Sequence, residues 1–248
     1  SLPTPLPAVS IRGRDFRFRP DTGEFEAVEG QTQYGRWRDD WGHWFGNANY
    51  AWLWTYPLPA RQLARNPHLA VRDLRKMLAD YDGGNRVHPL SRPLQRPNVV
   101  GEENTVTSAN SPTPYRDDLF GPDFAGSVFV SEPTENLVHR EVVFESGSTL
   151  SSRRAEGEQA SEFLASTDNW FRPIQTRTGP DGALYVVDMY RLSIEHPEWI
   201  PKDLQARLDH IFHKQIFGIA ITEITSLLSR RSLYCSKFPN SEYSVSRF

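Results

Sequence analysis

The stretch TDNWFRPIQTRTGPDGALYVVDMYR, from Thr167 to Arg191, decides the fold. Its polar start leads into a short strand pattern, PIQTRT, which ends at a Pro-Asp-Gly turn at residues 180–182. A second strand pattern, ALYVV, follows the turn and ends on Asp188. Proline, aspartate and glycine are favoured in tight turns, so this stretch predicts an antiparallel hairpin.

The same pattern occurs twice more upstream. The copy TQYGRWRDDWGHWFGNAN turns at Gly42 and ends on the amides of residues 47–49. The copy SPTPYRDDLFGPDFAGSVFVSEPTEN turns near Gly126 and ends on the polar residues 132–136. The intervals between the turn glycines are unequal, which indicates a degenerate repeat with insertions.

Repeated antiparallel strand pairs of this kind are typical of a β-propeller, in which equivalent strand ends gather around one axial mouth. We therefore predict an all-β chain in which residues 1–201 form an incomplete propeller of about three blades. A β-sandwich, which also consists of short strands and turns, is the alternative.

Other segments are placed around these three hairpins. Ile11 to Val28 predicts a further hairpin, and LVHREVVF predicts a third strand after the second copy. Residues 145–160 read as a loop or an irregular outer strand. Residues 57–104, rich in Pro, Arg and Asn, read as a long insertion with a hint of helix. The tail, residues 202–248, has roughly helical apolar spacing and belongs to no blade.

Composition excludes several classes of function. The net charge of −3 gives no electrostatic reason to expect nucleic acid or an acidic membrane surface as partner. No apolar run approaches the roughly 20 residues of a membrane-spanning helix. The single cysteine, Cys235, cannot form an internal disulfide, and no CxxCH haem-attachment motif occurs.

Seven motifs together resemble the PVC-type membrane-bound dehydrogenase domain, which is related to soluble quinoprotein glucose/sorbosone dehydrogenases. They cover roughly Ile11 to Pro201 and are RPDTGEFE, GQTQYGRWRDDWGHWFGN, LARNPHLAV, YRDDLFG, SEPTENLVHR, SEFLASTDNWFRPI and TGPDGALYVVDMYRLSIEHPEWIP. The resemblance implies a six-bladed β-propeller, usually exported to the periplasm or secreted. It also implies oxidation of a sugar-type alcohol or aldehyde with pyrroloquinoline quinone (PQQ) and calcium.

The same resemblance implies that this chain is part of something larger. It holds about half the blades of a closed ring, so we expect a fragment that is inactive alone. The remaining blades and a c-type haem domain are the expected partners, besides a sugar-like small molecule.

In a propeller, the segments that enter the first strand and leave the second strand of each hairpin open on the same face. Oxygen-bearing side chains there would suit calcium, which binds six to eight oxygen ligands. The predicted metal ligands are Asn47, Glu132, Asp168 and Asp188. For Asp188 a turn-capping role is the alternative.

The cofactor prediction uses the third hairpin. The predicted cofactor-binding residues are Asn169, Trp170, Arg172 and Tyr190. Arg172 could hold an anionic cofactor carboxylate by a bidentate contact, and Trp170 is the aromatic residue best placed to contact a ligand. His196 is the predicted catalytic base, whereas His43 and His139 are interpreted as structural. A non-catalytic propeller that binds a glycan or a protein at the same mouth is the alternative function.

Overall fold

The computed structural model describes residues 8–69, 71, 73–92 and 104–192. Strands dominate these residues, and the helical content is a single four-residue helix, α1 (Ala60–Leu63), and a 3₁₀ turn (Pro122–Phe124). The all-β prediction is therefore confirmed. No helix in the described ranges is long and apolar enough to cross a membrane.

The first element is the predicted N-terminal hairpin. Strand β1 (Asp15–Phe18) pairs antiparallel with β2 (Phe25–Val28). Its turn contains Gly23 with φ +71°, a conformation that glycine adopts without steric cost. The Asp15 carboxylate accepts bonds from both the backbone N–H and the hydroxyl of Thr32, which joins this hairpin to the chain that follows.

The first copy of the repeat builds a four-stranded antiparallel sheet in the order β3-β4-β5-β6. Its strands are β3 (Trp37–Arg38), β4 (Trp44–Ala48), β5 (Ala51–Thr55) and β6 (Lys76–Met77). Every residue of β5 is buried. Strand β6 lies inside the segment predicted as an insertion, so that segment returns to the sheet and supplies its outer edge.

The second copy builds the largest sheet, in the order β10-β9-β8-β7. Its strands are β7 (Asn110–Pro114), β8 (Ser127–Glu132), β9 (Leu137–Ser146) and β10 (Thr149–Arg154), and the short β11 (Leu164–Ala165) also pairs with β9. Strand β9 is the predicted third strand. Strand β10 is regular, although its polar sequence TLSSRR indicated only a loop or an irregular strand.

The third copy forms the predicted hairpin of β12 (Pro173–Thr178) and β13 (Leu184–Asp188). The turn glycines of the three copies, Gly42, Gly126 and Gly182, all have positive φ. Among the described strands no sheet closes into a barrel.

The second sheet carries a core on each face. Towards the first sheet, the side chains of Val128 and Val130 pack with Phe45, Trp52 and neighbouring apolar residues. Burial of each such aliphatic or Phe side chain stabilises the fold by about 1.5–3 kcal/mol. On the opposite face, an aromatic cluster packs against the third hairpin. It contains Tyr115, Phe120, Phe124, Phe129, Val138 and Phe163, and the third hairpin contributes Leu184 and Val186.

The first strands of the three hairpins lie side by side. The N–H of Ser111 on β7 donates to the Tyr34 carbonyl just before β3, at 2.9 Å. The Thr113 hydroxyl on β7 donates to the Thr176 carbonyl on β12, at 3.0 Å. Adjacent first strands and aligned turns mean that all three hairpins run in the same direction. The tail 202–248 and the predicted domain boundary at residue 201 lie outside the described residues.

Candidate functional site

The segments that enter and leave the three hairpins contact one another in series. We call this the exit end; it comprises residues 47–49, 107–110, 132–136, 168–172 and 188–192. The Ala109 N–H donates to the Asn49 carbonyl at 3.1 Å, which joins the first hairpin to the second. The Asn136 side chain donates to the Asn169 carbonyl at 3.4 Å, which joins the second to the third.

An exposed cluster of two aromatic rings and a carboxylate occupies the third hairpin's part of the exit end. This aromatic platform consists of Asp168, Trp170 and Tyr190. The Trp170 and Tyr190 ring centroids are 5.7 Å apart with an interplanar angle of 36°. The two residues are 44% and 59% exposed, so both present ring surface to solvent.

The acid of the platform binds both aromatic residues. One oxygen of Asp168 accepts the backbone N–H of Trp170 at 2.9 Å, and the other accepts the Tyr190 hydroxyl at 3.2 Å. The hydrogen bond to Asp168 and the charge of that carboxylate raise the pKa of Tyr190. The phenol therefore remains a hydrogen-bond donor at neutral pH.

Asp188 holds the two ends of the hairpin together. Its Oδ1 accepts the N–H of Arg172 at 2.7 Å and that of Tyr190 at 2.8 Å. Tyr190 has φ +47°, an uncommon conformation for a residue with a side chain, and the bond to Asp188 supports it. These contacts are those of the turn-capping alternative considered for Asp188.

Arg172 is 3% exposed, and its guanidinium points into the protein. It donates to the carbonyl of Pro133 at 2.6 Å, that of Thr134 at 3.0 Å and that of Arg191 at 2.8 Å. A cofactor carboxylate could bind this guanidinium only if these bonds were broken. Arg172 instead ties the exit loop of the second hairpin to the end of the third.

Glu132 is fully buried and accepts five hydrogen bonds. Its Oε1 accepts the N–H groups of Thr107 at 3.0 Å and Ser108 at 2.7 Å, and the Thr107 hydroxyl at 3.2 Å. Its Oε2 accepts the Ser108 hydroxyl at 2.8 Å and the Glu135 N–H at 3.0 Å. The carboxylate organises the loops on both sides of the second hairpin.

The remaining predicted site residues are buried, bind other protein groups or lie outside the described residues. Asn47 is fully buried, and its side-chain N and O have no hydrogen-bond partner among the described residues. The Asn169 side chain donates to the Arg92 carbonyl at 2.8 Å. His196 lies outside the described residues.

These contacts test whether the chain's own residues fit the implied cofactors. The four predicted calcium ligands each bind separate protein groups or are buried, and the described residues hold no group of three or more His, Cys, Asp or Glu side chains suited to a metal ion. The described part of the site therefore fits neither a calcium sphere built on these four residues nor a PQQ carboxylate on Arg172.

A buried charged cluster was missed by the sequence reasoning. His139 is fully buried, with Nδ1 2.7 Å from Glu162 and Nε2 2.9 Å from Glu141, and its ring stacks on Trp52 at 4.0 Å between centroids. Burial lowers the pKa of His139, but the two carboxylates outweigh it and raise the pKa overall. Residues 139 and 141 both lie on the core-facing side of β9. Their spacing of two residues in a predicted strand was the sequence signal that could have revealed the cluster.

The pKa of Glu162, one of the two carboxylates that bind His139, shifts in the opposite direction. Burial alone would raise the pKa of Glu162, but the bond to His139 and the charges of His139 and Arg154 lower it. The cluster thus places oppositely charged, hydrogen-bonded side chains inside the second sheet. It stabilises the fold and has no open surface for a substrate.

The fold and the exit end define an all-β protein of adjacent antiparallel hairpins with an exposed aromatic platform. The chain belongs to the family described as "Domain of unknown function (DUF7133)", whose profile matches residues 5–218. No curated protein and no solved structure matches the chain.

Proposed function

We propose that this chain forms blades of a β-propeller and binds a sugar-type alcohol or aldehyde on the aromatic platform. The observation that carries the proposal is the arrangement of Trp170, Tyr190 and Asp168. Two exposed rings offer flat apolar surface to the C–H faces of a sugar ring, while the carboxylate can accept hydrogen bonds from its hydroxyl groups.

The propeller assignment is supported by the arrangement of the hairpins. Their first strands are adjacent, their turns lie at one end, and their incoming and outgoing segments join at the other. In a propeller this arrangement follows from blades placed around an axis. The blade number of six rests on the resemblance to the dehydrogenase family.

The same resemblance supports sugar oxidation as the activity of the assembled protein, with PQQ and calcium as cofactors and a c-type haem domain as electron acceptor. His196 remains the proposed base, and export to the periplasm remains the proposed location. Because the four predicted calcium ligands do not form a calcium sphere and Arg172 is bound to backbone carbonyls, either cofactor would be held by other residues.

Binding without catalysis is the second candidate function. It is favoured because hydrogen bonds from the Trp170 backbone and the Tyr190 hydroxyl to Asp168 already position the platform. The two candidates share the ligand class and differ only in turnover.

Isothermal titration with a panel of aldoses, together with dye reduction after addition of PQQ and calcium, separates them. We expect Trp170→Ala to weaken sugar binding about tenfold, since it removes one stacking surface. Tyr185→Ala is the matched control, because Tyr185 is an exposed aromatic residue of the same hairpin, 53% accessible. Binding with dye reduction supports the dehydrogenase, binding without reduction supports the binding module, and equal affinity of the Trp170 and Tyr185 variants refutes the platform.

A further inference from the structure

A cleft lies at the opposite end of the hairpins from the platform. Its volume is about 420 Å³, within the range of small-molecule sites. One wall is the β3–β4 turn, around residues 39–43, and the other is the second sheet around residues 114–116, 126–128, 143–145 and 150. We call it the turn-end cleft. Both walls consist of described residues, so the cleft does not depend on further blades.

The base of the turn-end cleft is apolar. Phe45, Val128 and Leu150 line it and are only 1%, 2% and 6% exposed. Near the opening stand two exposed rings, Trp41 at 77% and Phe144 at 43% exposure. A ligand that covered these rings would bury apolar surface that now contacts water, which favours an apolar or aromatic ligand body.

Asp39 stabilises the turn that carries Trp41 by hydrogen bonds. Asp39 Oδ1 accepts the N–H of Trp41 at 3.0 Å and that of His43 at 2.8 Å, and its Oδ2 is 2.7 Å from His43 Nδ1. This pairing orients the imidazole. Within the described part of the chain, its other nitrogen, Nε2, has no hydrogen-bond partner, so it can serve a ligand.

The charge of the lining is negative. Three carboxylates, Asp39, Asp40 and Glu145, face the single guanidinium of Arg116. Arg116 Nε binds Asp40 at 2.8 Å, which neutralises that pair. Glu145 is exposed and forms no ion pair within the described residues. A carboxylate and an exposed indole that line one cleft are a favourable setting for a cation, through charge attraction and cation–π contact.

We propose that the turn-end cleft binds a small organic cation with an apolar body, such as an arylalkyl amine. Its apolar part enters the cleft above Val128 and Leu150 and covers the ring of Phe144, and its ammonium group binds Glu145 and the face of Trp41. This site is separate from the aromatic platform, so it does not depend on the proposed sugar function.

Ligand-observed NMR on the full chain tests the charge requirement. The probes are phenethylamine, 2-phenylethanol and 3-phenylpropionate, which share an aromatic body and carry a cationic, neutral or anionic head. We expect the amine to bind about tenfold more tightly than the alcohol, and the acid to bind most weakly. Equal binding of amine and alcohol, or no amine binding at about 10 mM, overturns the proposal.

Variants test the location. Glu145→Gln and Trp41→Ala should each weaken amine binding by about three- to tenfold, because each removes one contact to the ammonium group. Glu156→Gln, at another exposed carboxylate, and Trp170→Ala, at the platform, should leave the affinity unchanged. Unaltered thermal unfolding of these surface variants shows that their fold is intact. If both cleft variants retain full affinity, the site lies elsewhere and the proposal fails.

Discussion

Replacement of Glu132 by Gln tests whether this buried carboxylate holds the fold or holds a metal ion. The substitution keeps the size of the side chain and turns one acceptor oxygen into an NH₂ donor. If the amide oxygen stays with Thr107 and Ser108, the new NH₂ faces the Glu135 N–H, which loses its acceptor. A donor left unsatisfied in the interior costs about 1–3 kcal/mol.

The total cost includes the lost charge. Hydrogen bonds to a charged group contribute about 1.5–3 kcal/mol, compared with about 1 kcal/mol for neutral pairs. Together these terms predict a loss of about 3 kcal/mol in the free energy of unfolding. For a domain of this size that loss lowers Tm by roughly 6–12 °C.

Urea and thermal unfolding, followed by tryptophan fluorescence and circular dichroism, measure this loss in calcium and in a calcium chelator. We expect the same loss in both conditions. Glu156→Gln, an exposed carboxylate, is the control and should change stability by less than about 0.5 kcal/mol. A Glu132→Gln variant as stable as the wild type, or a calcium-dependent Tm that the substitution abolishes, would refute the structural role and favour metal binding.

Two further predictions concern the second sheet. Gly126→Ala should cost about 2–4 kcal/mol, because Gly126 has φ +72° and an added Cβ would lie 2.6 Å from the Val143 carbonyl oxygen. Gly147 also has a positive φ, +63°, but an added Cβ there would meet no atom within 4 Å. Gly147→Ala should therefore lower the free energy of unfolding in urea by only about 1 kcal/mol, and equal losses for the two variants would contradict the steric argument. The pKa of His139 is raised in the folded chain. Above pH 6.5, the ordinary pKa of histidine, the folded chain therefore keeps a proton that the unfolded chain releases. Stability should therefore fall by up to about 1.4 kcal/mol per pH unit as pH rises from 6.5, and His139→Gln should remove that slope in urea unfolding at several pH values.

The hairpins were predictable because their signals are local. A turn glycine between two alternating strands specifies an antiparallel pair, and Gly42, Gly126 and Gly182 all have the positive φ that this requires. Strand β6 was not predictable, since two residues, Lys76 and Met77, carry no periodicity. Strand β10 was missed because its serines and arginines have low apolar content.

The site was only partly predictable, because only some of its contacts are local in the sequence. Asp168, Trp170 and Tyr190 come together because they flank the paired ends of one hairpin, which a sequence pattern can show. Glu132 and Arg172 were predicted to face a ligand, but Glu132 binds Ser108, 24 residues away along the chain, and Arg172 binds Pro133, 39 residues away. Partners at that separation are fixed by strand pairing and by the packing of hairpins, and they leave no local trace in the sequence.

Arg172 has a consequence for how the platform responds to its surroundings. Its guanidinium donates hydrogen bonds to the carbonyls of Pro133 and Thr134. The spacing of the Trp170 and Tyr190 rings therefore depends on a neighbouring sheet as well as on their own hairpin. A peptide excised from residues 161–192 would lack that anchor. Loosening the 132–136 loop should also raise amide hydrogen exchange at Tyr190, so the order of the platform depends on a loop that lies outside its own hairpin.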